Sequence, residues 1–320
     1  MEKIKLFKKR SFGETIGTTF DLLRQNFILL SRSFLYLVMP ILAVSILIIS
    51  VGFLGLIKST VKAKLGSSST AVNTMILAIG YIGYILTFYV QAVVVHELVI
   101  AYEHSEHPSH ITVSDIWVLI KADMGSIFAS FFGLMPLFFF IGVVSALIYT
   151  AFASISDSAA GLWILIMYLA NVYLYICLSN FLMLRLRSEY NIYQAISKSI
   201  SLTIGAWRWW RTLGIMLVLS LILFCLYTVS LYPLSIVIYI YRVHFLPTMV
   251  REDYLNYLYI MMTILILYGG VVMSYLSNLI ILGTTVNYYS LIEEKEHVGL
   301  QVAIDNIGLH SSTNQLEGEY

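Results

Sequence analysis

Three observations predict an all-α, polytopic integral membrane protein with six transmembrane helices. Of 320 residues, 59% are hydrophobic and only 12% charged, about half the charged share of a water-soluble domain, and mean hydropathy is +0.84. Six apolar segments reach the ~20 residues that a helix needs to cross a bilayer. A polar signature also recurs three times: Glu97, Asn180 and Asn287 each sit near the end of an apolar run, with a glutamate nine residues later at Glu106, Glu189 and Glu296. That recurrence arranges the six spans as three amphipathic-helix-plus-hairpin repeats.

Taken in order, the spans fall at about 28–57, 72–101, 127–153, 159–186, 212–241 and 254–282. Serines 154, 156 and 158 interrupt the apolar pattern between the third and fourth, which marks a tight hairpin. Lys8, Lys9 and Arg10 lead into a charged amphipathic stretch rather than a short apolar core with a cleavage site, so the start does not read as a secretory signal. Cys177 and Cys225 lie inside apolar runs and have neither disulfide-framework nor metal-type spacing.

Orientation follows from Lys and Arg placement. Of the 19, only Lys58, Lys62, Lys64, Arg242 and Arg251 lie on the odd connectors; the other fourteen lie on the side that holds both termini. This predicts a bacterial cytoplasmic (inner) membrane protein with both termini cytoplasmic.

The cytoplasmic segments carry helical stripes. Phe12, Ile16, Phe20, Leu23 and Phe27 share one face ahead of the first span, with Glu14, Asp21 and Arg24 off it. Val113, Ile116, Trp117, Ile120, Met124 and Ile127 do the same ahead of the third, where Thr112 and Asp115 have capping-box spacing. Ile192, Ile196 and Ile200 precede the fifth, with Asn191 and Gln194 placed to cap. Leu300, Ile304 and Ile307 follow the sixth, and Gly308 is placed to end that helix. Such helices lie in the membrane interface with the apolar face down, or pack on the span ends; the two placements are compatible.

Connector spacing supports the repeat. Glu97 to Met135 is 38 residues and Asn180 to Met216 is 36, while the outer excursions vary from 45 to 71. The chain is therefore one membrane domain over 1–320. Its units cover about 11–103, 111–187 and 191–292, and 293–320 forms a cytoplasmic amphipathic helix and polar tail.

Intramembrane polar residues are where function is first sought. Under threefold quasi-symmetry Glu97, Asn180 and Asn287 form a polar ring at the cytoplasmic ends of the even spans. Such a ring lines a path or binds a headgroup; the plainer reading is hydrogen bonding between helices and capping of broken helix ends. Gly269-Gly270 is the one paired-glycine break, and close packing between spans accounts for it. Four histidines and three glutamates between His96 and His110 invite a metal reading. They contain no His-Glu-x-x-His, and Pro108 breaks the spacing, so the stretch reads as a solvated connector and no metal is expected. Trp207, Arg208, Trp209, Trp210 and Arg211 read as membrane-interface anchors, the arginines meeting anionic lipid. No nucleotide-binding glycine loop, catalytic elbow or cofactor motif occurs. With a net charge of +1, nothing in the overall charge points to nucleic acid.

The run Ala195, Ser199, Leu202, Gly205, Trp210, Leu213, Gly214, with Gly13-Glu14, Asn26-Phe27 and Pro40 near the start, resembles the membrane domain attached to some bacterial glycerophosphodiester phosphodiesterases, and related YciC-like stand-alone six-span membrane proteins. The phosphodiesterase barrel needs about 250 residues, and every long stretch here is membrane or connector, so no catalytic residue carries over. The resemblance implies an inner-membrane protein acting on lipids or membrane organisation.

Two functions are weighed. One is a non-enzymatic scaffold or membrane-organising component whose interfacial helices meet anionic headgroups on the cytoplasmic side. The other is a transporter or small-solute channel with the polar ring in its path. Sparse intramembrane charge favours the first.

Overall fold

The computed structural model describes residues 3–63, 70–188, 190–245 and 251–298, and the described elements are all helical. Six helical segments are long and apolar enough to cross a membrane. The expected fourth amphipathic helix at Leu300–Ile307 and Glu189 lie outside the described residues.

Helix α1 (Phe12–Ser33) does not stop before the first span. It continues through a π-helical turn, Phe34–Val38, into α2 (Met39–Ala63). Pro40 explains the wide turn: proline offers no N–H, and its ring crowds the preceding turn, which a π-bulge relieves. The later units do break. Helix α4 (Val113–Ala122) is separated from α5 (Met124–Ala153) by Asp123, and α8 (Ile192–Thr203) from α9 (Ala206–Phe245) by Ile204-Gly205.

The second span is α3 (Thr70–His104) and the sixth is α10 (Arg251–Glu296), both unbroken past Glu97 and Asn287. Only the fourth is interrupted, at Ser179-Asn180, into α6 (Asp157–Leu178) and α7 (Phe181–Arg187). The first residue of each signature pair therefore does not generally mark a helix end. At 1.5 Å per residue, α10 is about 69 Å long, more than twice the ~30 Å hydrocarbon core, and its last turns rise beside α1, α8 and α9.

Ser11–Glu14, Thr112–Asp115 and Asn191–Gln194 form reciprocal capping boxes at the starts of α1, α4 and α8. In each helix the positions four and eight residues after the cap are buried: Thr15 and Thr19, Ile116 and Ile120, Ala195 and Ser199. On α1 the buried face combines Thr15, Thr19, Asn26 and Ser33 with Leu22 and Leu30, and the two threonine hydroxyls bond back to Ser11 O and Thr15 O. Its phenylalanines look outward, with Phe12 and Phe20 38% and Phe27 52% exposed.

The core gathers at the end where the even connectors lie. It is built from Val93–Tyr102 of α3, Phe181–Leu186 of α7 and Val286–Ile292 of α10, with Leu22 and Leu30 of α1. Spans one and two touch closely through glycines: a Cβ on Gly80 would stand 2.8 Å from the Ile49 backbone nitrogen, and one on Gly52 2.8 Å from that of Leu77. The Gly269-Gly270 pair is also a close approach, to Tyr227 and Ile46. By contrast α5 buries only Ile127 and Ser130, and the α5–α6 hairpin keeps a largely exposed apolar surface.

Candidate functional site

The three signature residues are fully buried, each in its own setting. Asn180 donates from Nδ2 to Thr203 Oγ1 at 3.1 Å, tying the break in span four to the last residue of α8. Asn287 donates from Nδ2 to Thr212 Oγ1 at 3.0 Å, tying α10 to α9. Glu97 faces the Asp123 carboxyl at the junction of α4 and α5. Among the described residues no hydrogen bond joins any two of the three. Asn180 Oδ1 and Asn287 Oδ1 are buried with no hydrogen-bond partner among the described residues, and the buried Glu97 carboxyl meets another carboxyl, that of Asp123. Of the paired glutamates, Glu106 is exposed in the α3–α4 connector and Glu296 ends α10 in a pair with Lys198 of α8.

The even spans do meet, through residues the sequence did not single out. Arg187, ending α7, holds Glu103 near the end of α3 with Nη2 3.0 Å from Oε1 and Nε 3.1 Å from Oε2. Tyr289 of α10 donates to the same carboxylate at 2.5 Å. The Arg187 guanidinium also lies over the Phe7 ring at 4.7 Å, and Phe7 meets Tyr289 edge-on at 4.9 Å. Their one sequence signal is position: a charge of each sign in the last turn of an apolar span.

The N-terminal segment straps this knot. Lys3 Nζ donates to the Glu103 and Ser105 carbonyls at 2.7 Å, and the Ile4 amide to the Tyr102 hydroxyl at 2.7 Å. Arg10 donates from its amide to Ser290 Oγ at 3.0 Å and folds its guanidinium back onto the Leu6 and Lys8 carbonyls. Burial lowers the Arg10 pKa from its ordinary value.

Deeper along α3 and α10 runs a polar seam. Gln91 Nε2 lies 2.6–2.9 Å from Ser274 O, Ser277 Oγ and Asn278 Oδ1, which share its two N–H groups, and His96 Nδ1 lies 3.0 Å from Thr285 Oγ1. Beside it a cavity of about 410 Å³ opens between spans two, three, four and six, where His96, Asn171 and Thr284 interrupt an apolar wall. None of Glu97, Asn180 and Asn287 lines it.

Of the five anchor residues, Trp207 and Trp210 point outward, 76% and 62% exposed. Trp209 turns inward to stack on Tyr173 at 5.6 Å. Arg208 is half-buried. Arg211 is buried, bonded at 2.9 Å to Glu294 of α10, and so acts as an internal strut rather than a lipid contact. Among the described residues no group of three His, Cys, Asp or Glu is placed to hold a metal ion.

Six membrane-length apolar helices around a buried polar seam make this a helical integral membrane protein. Comparison with protein-family models, with curated proteins and with solved structures finds no match.

Proposed function

We propose that the protein is a non-enzymatic membrane-organising component of a bacterial cytoplasmic membrane, anchored by its spans and acting through interfacial helices. One observation carries this reading. Helix α1 packs Thr15, Thr19, Leu22, Asn26 and Leu30 against the protein and leaves Phe20 and Phe27 outward; α4 leaves Trp117 and Val118 exposed. A helix that seeks lipid is expected to divide its surface this way. The three capping boxes with matched buried positions support a threefold repeat of the unit. The Lys and Arg asymmetry supports termini and even connectors on the cytoplasmic side, facing anionic headgroups. The resemblance to stand-alone six-span membrane proteins agrees with this, although Ala195, Ser199 and Leu202, which carry much of it, are also the face that α8 buries.

Reconstitution into vesicles of graded anionic content tests the reading. Composition-dependent vesicle shape or lipid clustering is expected, lost in Phe12→Asp/Phe20→Asp. Vesicles indifferent to protein at every composition would remove it.

The cavity beside His96 favours a second reading, a transporter or small-solute channel. Under it, a solute flux measured in the same vesicles falls in His96→Leu. The signature residues weaken this reading, since each sits outside the cavity lining.

A further inference from the structure

Tyr89 is the bridge across a gap between α3 and α5: its hydroxyl donates to the Ile127 carbonyl at 2.8 Å and its ring meets Phe131 at 5.1 Å. On one side of that bridge lies the cavity with His96. On the other lies a cleft of about 540 Å³, within the range of built ligand sites. Its walls come from spans one, two and three, with Leu37, Ile41, Leu86, Val90, Val93 and Phe128 among them, and α4 closes one end with Trp117. The lining is almost wholly apolar, and Tyr36 and Phe132, 67% and 59% exposed, leave it open sideways onto the surface that the bilayer would cover.

The closed end is cationic. Lys121 Nζ lies 5.3 Å from the centre of the Trp117 ring. Arg32, exposed, precedes Tyr36 by four residues on the same continuous helix, just ahead of the π-helical turn; it and Lys121 lie outside the apolar lining itself. The nearest acid on the α4–α5 junction, Asp123, faces Glu97. An apolar slot open to lipid with two cations at one end matches a chain joined to a negative headgroup.

We propose that this cleft holds one acyl chain of an anionic phospholipid from the leaflet on the α4 side, with its phosphate drawn to Arg32 and Lys121. The proposal rests on the reading that the α4 side is a membrane interface, and it adds a stoichiometric lipid site that shares Trp117 with the outward face of α4.

The test uses full-length protein, delipidated in a non-ionic detergent and titrated with dioleoyl phosphatidylglycerol or dioleoyl phosphatidylcholine, with bound lipid counted by native mass spectrometry. One phosphatidylglycerol per chain is expected at concentrations where phosphatidylcholine does not bind. Arg32→Gln and Lys121→Gln should each weaken phosphatidylglycerol by about fivefold, the value of one basic residue near an anionic surface. Ile41→Trp and Leu86→Trp fill the cleft from opposite walls with no change of charge, and either should abolish retention. Should one fail to fold, the other decides, and the two charge variants stand independently of both. Equal binding of the two lipids, or undiminished retention in a folded cleft-filling variant, overturns the proposal. Neither cleft-filling substitution touches the outward face of α1, so a failure here leaves the interfacial reading to its own vesicle test.

Discussion

Arg187 clasps Glu103 with two parallel hydrogen bonds of 3.0 and 3.1 Å, and through that pair the fourth span is locked to the second. Tyr289 adds the sixth. Both charges are largely withdrawn from solvent, where removing one partner strands the other. Arg187→Met should therefore lower stability by about 3 kcal/mol. The double variant Arg187→Met/Glu103→Met should lose less than the sum of the two single changes, because no lone charge remains. Thermal unfolding in detergent of the four proteins measures the coupling; strict additivity would show that the pair contributes nothing.

Glu97 presents the opposite case, a buried carboxyl that faces a second carboxyl, Asp123, rather than a cation. An amide is cheaper to bury than a carboxylate and can donate. Glu97→Gln is expected to unfold at a higher temperature than wild type. A lower unfolding temperature would mean that the carboxylate itself holds the α3–α4 corner.

Close approach gives a matched pair of glycine tests. Gly80→Ala places a Cβ 2.8 Å from the Ile49 backbone nitrogen, so spans one and two must part and stability should fall. Gly142→Ala meets nothing within 4 Å, and there the helix gains roughly 0.5–1 kcal/mol from alanine. Unfolding temperatures should move in opposite directions; a shared direction contradicts the packing described for α2 and α3.

The capping boxes make a pH-dependent prediction. The Thr112 backbone N–H, then its hydroxyl, holds the Asp115 carboxyl below its ordinary range. A depressed carboxylate contributes stability above its unfolded pKa, about 3.9, and loses it as pH falls through the lower folded value. Thr112→Ala should destabilise α4 by about 1 kcal/mol near neutral pH, and the difference from wild type should shrink below pH 4. Hydrogen exchange of the α4 amides at pH 7 and pH 3.5 reads this directly. A difference that persists undiminished at the lower pH rules out the carboxylate's part in the cap.

Span number and placement were legible because ~20-residue apolar runs have no other common explanation, and the Thr112–Asp115 and Asn191–Gln194 caps because their spacing is local. What escaped was tertiary. Glu103, Arg187 and Tyr289 are ordinary residues at helix ends, and only folding brings them together. The join of α1 to the first span was also hidden: an amphipathic stretch followed by an apolar one looks like two helices, although no glycine or proline separates them before Pro40. On α1 the small residues Thr15 and Thr19 allow close packing against α10, where Gly283 approaches Thr19. Arg211 was read as a lipid anchor from its company of tryptophans, yet it is buried and meets Glu294.

If the outward phenylalanines of α1 lie in lipid, nitroxide labels placed singly at Phe20 and Phe27, with Asp21 as the control, will differ in their collisions with oxygen and with a water-soluble nickel chelate in reconstituted vesicles. Labels at Phe20 and Phe27 are expected to collide with oxygen and to be shielded from nickel, and a label at Asp21 to show the reverse. Nickel access at Phe20 and Phe27 equal to that at Asp21 would place that face in water.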